Sequence, residues 1–223
     1  MPREVDRALM QEALLYYRLA FDKQARATGA SVRWIGQHGL IWSLIRDYEF
    51  DAGKWMGLCA GLALDWLKAK AAGGNLLDTL REQQSVVFTA PSDKTRAKIA
   101  KFAADLLESH NDQRYVRTAL SPALAHCGSK DFPYPFTKME GAFAKDRYYY
   151  ISSDIHAMAA YSSALGVVTF YDPNVGEVAG TSPRFCAPYL KDCIDASFSL
   201  TERPASEKAA KVMNVQLFLK STP

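Results

Sequence analysis

The chain has little cysteine and little histidine: four of each in 223 residues. Cys59, Cys127, Cys186 and Cys193 form no CxxC pair, so zinc-ligand spacing is missing, and the four thiols resemble no disulfide framework. They read as reduced thiols in a cytosolic setting. No run of about 18 consecutive apolar residues exists, so no membrane span is expected. The N-terminus lacks the apolar core of a signal peptide, and Glu4, Asp6 and Glu12 make it too acidic for a transit peptide. Delivery by a specialised secretion system needs no such segment. A strong charge bias is also missing: the net charge is +3, and without an aromatic–basic repeat a nucleic-acid partner is not expected. Internal repeats, low-complexity segments and cofactor or metal motifs are absent too. What is present is a composition 48% hydrophobic and 23% charged, enough for one large globular domain or two small ones.

The stretch from Lys54 to Leu67 organises the chain. It begins as a loop, with Gly53 and Gly57 permitting unusual backbone conformations, and ends as a helix. Leu58, Leu62 and Trp66, then Cys59, Ala63 and Leu67, repeat at helical spacing. Cys59 is therefore expected in the first turn, where free backbone N–H groups and the helix dipole favour an anion such as a thiolate. Its pKa is expected below the ordinary value of about 8.5. The plain alternative is a small cysteine buried in an apolar helix.

The chain order predicts helices first. Residues 4 to 22 carry Val5, Leu9, Tyr16 and Ala20 along one side, with a turn near Thr28-Gly29. Residues 32 to 50 hold Trp34, Ile35, Leu40, Trp42, Leu44 and Ile45, predicting a second buried helix after Gly39. The Cys59 helix stops at Ala72-Gly73-Gly74-Asn75. Gln84 to Thr89 suits a short strand, and Ser92 caps a helix that runs out at His110-Asn111-Asp112. After Asp131 the character changes. Phe132-Pro133-Tyr134-Pro135-Phe136 is not regular helix, and beyond it Arg147–Ile151, Ile155–Tyr161 and Val167–Tyr171 read as strands. Ser162 to Gly166 is the turn between the last two. Ser182-Pro183 and Pro188 start short helical turns, Thr201 to Lys208 is linker-like, and Val212 to Leu219 alternates as a half-buried strand. Helices followed by an antiparallel sheet is the α+β pattern. A single domain over 1–223 is expected, with a helical half over about 1–130 and a sheet half over about 131–223.

His156 stands among apolar residues, and Asp172 closes the following strand in Tyr171-Asp172-Pro173-Asn174. Two antiparallel strands joined by a short turn bring these residues together. The carboxylate then fixes the imidazole tautomer, and the free nitrogen serves a nucleophile as general base. Taken singly, His156 reads as a bonded core residue and Asp172 as a turn cap. His126-Cys127 is a weak candidate, because side chains of adjacent residues diverge.

Gly57-Leu58-Cys59-Ala60-Gly61-Leu62 with Trp66, His156-Ala157, and Phe170 through Glu177 together resemble the YopT/AvrPphB group of bacterial cysteine-protease effectors. The wider set of papain-fold toxin domains, including the deamidase domain of the Pasteurella mitogenic toxin, is similar. The resemblance covers about residues 53–195 in three islands. It implies a papain-like fold, a helical part packed on a mostly antiparallel sheet, with Cys59 as nucleophile, His156 as general base and acid, and Asp172 as the orienting carboxylate. It implies no cofactor or metal. The implied partners are a protein substrate in a host or target cell and a secretion chaperone or secretion component. Papain-like enzymes place Gln or Asn five or six residues before the cysteine; here Lys54 and Gly53 stand there, and Gln37 is the nearest upstream amide. Cleavage of a peptide bond is the favoured reading. Glutamine deamidation, other acyl transfer, and a catalytically silent adaptor or binding module stay open.

Overall fold

The computed structural model describes residues 7–34, 59–80, 116–153, 156–201 and 204–221. The helix expected after Gly39, the Gly53–Gly57 loop, Gln37, the strand at Gln84–Thr89 and the helix opening at Ser92 lie outside these residues.

Helix α1 spans Arg7–Thr28, running six residues past the end of its apolar pattern at residue 22. It ends where expected. Gly29 takes a left-handed φ of 66°, and the Ala30 N–H donates to Ala25 O while the Gly29 N–H donates to Arg26 O, a Schellman stop. Ser31–Trp34 then forms strand β1, for which the sequence carries no strand signal. Helix α2, Cys59–Ala71, closes in the same way: Gly73 has φ 77°, and the Gly74 N–H donates to Ala69 O. A short helix, α3 (Val116–Leu120), precedes β2 (Leu124–Pro133).

The strands expected after Asp131 are β3 (Arg147–Ser152), β4 (Ala157–Ser162), β5 (Val168–Asp172) and β7 (Val212–Lys220). A strand without an apolar signal, β6 (Gly176–Thr181), follows β5. Pro183–Phe185 is a single 3-10 turn leading into helix α4, Cys186–Thr201. Pro188 sits in its first turn, where the missing N–H costs little. The linker-like stretch contains helix α5, Ala205–Ala209.

The strands make one sheet in the order β1-β6-β5-β4-β3-β7-β2, with every pairing antiparallel. The architecture is α+β. β1 and the start of β2 come from the part read as helical, and α4 from the part read as strands. The sheet is covered on both faces. Against one face α2 packs with Tyr148, Tyr150, Ala157, Ala159, Tyr171 and Phe218. Against the other, α1 and α4 pack with Tyr149, Ile151, Met158, Ala160, Phe170 and Val215. Alternation along each strand sends neighbours to opposite faces, which is why β7 contributes Met213 and Val215 to one core and Phe218 to the other. Among the described residues no helix is long and apolar enough to cross a membrane.

Candidate active site

His156 lies one residue before β4. Its backbone is held by a tight turn in which the Ser153 N–H donates to His156 O at 2.8 Å and the His156 N–H donates to Ser153 Oγ at 3.2 Å. Asp172 is the last residue of β5, and the Ser163–Val167 turn, with Gly166 at φ 80°, fixes the register between the strands. His156 Nε2 and Asp172 Oδ1 are 2.9 Å apart. The sequence-predicted pair is brought together.

Asp172 is 2% exposed and fully engaged. The Asn174 N–H donates to Oδ1 at 2.8 Å, and the Tyr189 hydroxyl on α4 donates to Oδ2 at 2.6 Å. It is thus both turn cap and histidine partner. Burial pushes its carboxyl up, but the His156 charge and the bonds from His156, Tyr189 and Asn174 hold it below the ordinary carboxylate range. Burial likewise opposes charge on His156. Asp172, by charge and hydrogen bond, and then the Cys59 thiol overcome that, and His156 is raised to about 10.

Cys59 opens α2 and is 1% exposed. Its side chain hydrogen-bonds the His156 imidazole, whose Nε2 is turned to Asp172. The site therefore straddles the end of the sheet. The carboxylate is anchored from the α4 side, the thiol comes from the α2 side, and the imidazole spans them. Of the other cysteines, Cys193 borders this arrangement through Tyr189, which bonds both it and Asp172. Burial pushes the Cys186 thiol up, burial and then Asp172 do the same to Cys193, and Cys127 is exposed on β2. His126 packs its ring against Phe218 at 5.3 Å while Cys127 is exposed, so that adjacent pair does diverge.

α2 is oriented by a second buried carboxylate. Trp66 stacks on Tyr171, centroids 5.8 Å apart and planes 7° from parallel. Its Nε1–H donates to Glu177 Oε2 at 2.8 Å. Glu177, 2% exposed, also meets Lys70 at 3.4 Å and Arg33 at 4.0 Å, and Arg33 bonds Asp78. A carboxylate in such a place is tolerable only when paired. Trp66 and Glu177 stood in two separate islands of the resemblance; the structure joins them into one strut between helix and sheet. Tyr189 and Asn174 escaped the sequence reading. Asn174 Nδ2 is 3.4 Å from His156 Nε2, and its place in Asp172-Pro173-Asn174 was its only signal. Tyr189 had none. Among the described residues no group of three or more His, Cys, Asp or Glu side chains is arranged to hold a metal.

No protein-family model and no curated protein matches the chain. Solved structures similar to it include the Pseudomonas avirulence protein AvrPphB, at 18% identity over 72% of this chain and 90% of that one, with a TM-score of 0.39. Another is PatoxP, described as a cysteine protease-like domain of the Photorhabdus asymbiotica toxin PaTox, at 12% identity over 92% of this chain, with a TM-score of 0.49. The chain spans 59% of the length of PatoxP.

Proposed function

We propose that this chain is a thiol hydrolase of the bacterial effector or toxin type, a cysteine protease in which Cys59, His156 and Asp172 act as a triad. The observation that carries the reading is His156 held between the Asp172 carboxylate and the Cys59 thiol, with Nε2 committed to the former. The thiolate attacks a peptide carbonyl carbon, and the carbonyl electrons move to oxygen. The Cys59 backbone N–H, at the start of α2, is one donor for that oxyanion. The tetrahedral species collapses to a thioester as the C–N bond breaks, and His156 passes its proton to the leaving amine. His156 then takes a proton from water, the hydroxide attacks the thioester, and the carboxylic acid departs with Cys59 restored as thiolate. Asp172 keeps the imidazole oriented and supports its charge throughout.

On this reading the chain is one domain over 1–223. It is made in the bacterial cytoplasm and delivered by a specialised secretion system, with a secretion chaperone or component handling it before a protein of the target cell becomes its substrate. The test is a search for new protein N-termini in a host-cell lysate treated with the wild-type chain or with Cys59→Ala. New termini that depend on Cys59 are expected. Cys59-dependent conversion of glutamine to glutamate without new termini would replace the protease with a deamidase. Neither change, together with slow labelling of Cys59 by a thiol-reactive epoxide, would leave an adaptor.

A further inference from the structure

Strand β7 has a neighbour on each side over most of its length, but not at its start. β2 pairs with it all the way down to Val212, opposite Pro133. β3 pairs with it only as far as Asn214, opposite Ser152. After Ser152 the chain turns into the bend that holds His156, with the Ser153 N–H donating to His156 O at 2.8 Å. Among the described residues no strand stands beside Val212 on the side that β3 leaves.

Two hydrogen bonds fix where the backbone points there, because successive residues of a strand turn their N–H and C=O groups to alternate neighbours. Ser153 is turned to β4 by its bond to His156, so Ser152 is turned to β7, and its partner Asn214 to β3. Two residues before Asn214, Val212 faces the same way. The far side of β7 agrees: Lys211 O accepts from the Tyr134 N–H at 2.9 Å and is turned to β2, so Val212 is turned away from β2. Pro133, which has no N–H to give, stands opposite Val212 on that side. The Val212 N–H and C=O therefore face the place that β3 vacates. That place is a cavity of about 580 Å³ with Ser152, Ser153, Val212 and Asn214 in its walls, a volume inside the range of roughly 300–1,000 Å³ found for ligand pockets. Glu207 and Lys211, at and beyond α5, form its rim.

The chemistry of the cavity selects its occupant. One backbone donor and one backbone acceptor on the same residue are met by the C=O and N–H of an extended polypeptide, the pairing used wherever a peptide adds to a sheet edge. The two serines and Asn214 surround that pair with further hydrogen-bonding groups. Glu207 and Lys211 carry opposite charges, so the rim matches neither a phosphate nor a hydrocarbon chain. We propose that this cavity is a docking groove in which an extended segment of the polypeptide substrate adds to the sheet as a short strand beside Val212, taking up the line that β3 leaves at Ser152. The docked segment is separate from the bond that Cys59 attacks. This rests on the thiol-hydrolase reading above and gives the substrate a second point of attachment.

The experiment uses the full chain carrying Cys59→Ala, so that nothing is cleaved, and a mixture of acetylated, amidated hexapeptides randomised in sequence. Amide hydrogen exchange is followed by NMR with and without the mixture. Exchange at Val212 should slow by at least about threefold, and the Ser152 and Asn214 resonances should shift. The same mixture with every peptide nitrogen methylated, which removes its donors, should do neither. Val212→Pro deletes only the N–H that faces the cavity, at the first position of a strand where proline is tolerated. It should abolish the Ser152 and Asn214 shifts while the Met213 amide, turned to β2, keeps its protection. Unchanged exchange at Val212, equal slowing by the methylated mixture, or shifts that persist in a folded Val212→Pro chain would overturn the groove. Iodoacetamide labelling of Cys59 relative to Cys127 in the wild-type chain keeps the two readings apart. Fast labelling of Cys59 without protection at Val212 leaves the hydrolase standing and the groove refuted. Protection at Val212 with Cys59 labelled no faster than Cys127 leaves the groove standing and the hydrolase refuted.

Discussion

The two faces of the sheet are closed in different ways. On the α1/α4 face Phe21, Phe170, Phe185 and Tyr189 interlock, with Phe21 lying 5.1 Å from Tyr189 and 5.2 Å from Phe185. The tyrosine hydroxyls buried there are met: Tyr189 donates to Asp172, and Tyr149 donates to Ala144 O at 2.9 Å. Among the described residues on this face, Ser162 Oγ at the end of β4 lacks a partner. The α2 face is satisfied where Trp66 meets Glu177, yet Tyr150, Gln216 and His126 each leave a polar atom without a partner. Buried polar atoms without partners weaken a fold. Among the described residues these unmet atoms gather on the face that carries Cys59, while the opposite face holds the carboxylate.

The largest test of this contrast is Cys59→Ala. It should abolish turnover and leave the melting temperature nearly unchanged, because alanine is small and a good helix former. Turnover that survived would hand the chemistry to another cysteine. Asp172→Asn comes next, with an expected fall in kcat of about 10- to 1,000-fold, or roughly 1.4 to 4 kcal/mol of barrier. Asn still accepts at one oxygen from Asn174 and His156, so the turn should persist and stability should change far less than rate. An unchanged kcat would reduce Asp172 to a cap.

A third expectation concerns pH. The folded value of His156 is raised from 6.5 to about 10. Its imidazolium therefore contributes its full stability below about 6.5 and loses that contribution as pH rises through about 10. The folded value of Asp172 is depressed, so its contribution is full above the ordinary carboxylate range and is lost as pH falls through the lowered value. Urea melts of wild type against His156→Gln should show the wild-type advantage shrinking between pH 6.5 and 10. The basic limb of kcat/KM should also lie near 10; a limb near 6.5 would mean that the imidazole is neutral beside the thiol.

The smallest effects compare the faces directly, one hydroxyl at a time. Tyr189→Phe removes a donor to a buried carboxylate and should lower stability by about 1.5–3 kcal/mol, with a several-fold loss of kcat as Asp172 loosens. Tyr150→Phe removes a hydroxyl that has no partner and should raise the melting temperature. Thermal melts of the two variants with opposite signs would sharpen the contrast; equal losses would dissolve it.

Much of the site was legible before the fold. Helical spacing from Leu58 to Leu67 places Cys59 at a helix start, and the Ser162–Gly166 turn forces β4 and β5 together, which is enough to pair His156 with Asp172. The glycine stops at Gly29 and Gly73 were readable for the same reason: local backbone geometry depends on local residue type. β1 was not readable. Four residues are too few to show a period, and its partner β6 lies well over a hundred residues away. Pro188 hid the length of α4, because a proline that a first turn tolerates reads as an interruption.

The sequence by itself determined the chemistry available, a thiol at a helix start and an imidazole with a carboxylate two strands apart in chain order, because those placements follow from spacing and turns. Only the tertiary structure decided that Tyr189 steadies that carboxylate, that Glu177 ties α2 to the sheet through Trp66, and that Tyr150 and Gln216 stand unpaired side by side. Each of these depends on which helix covers which face and on strand register between distant segments, and packing of that kind leaves no periodic trace in the chain.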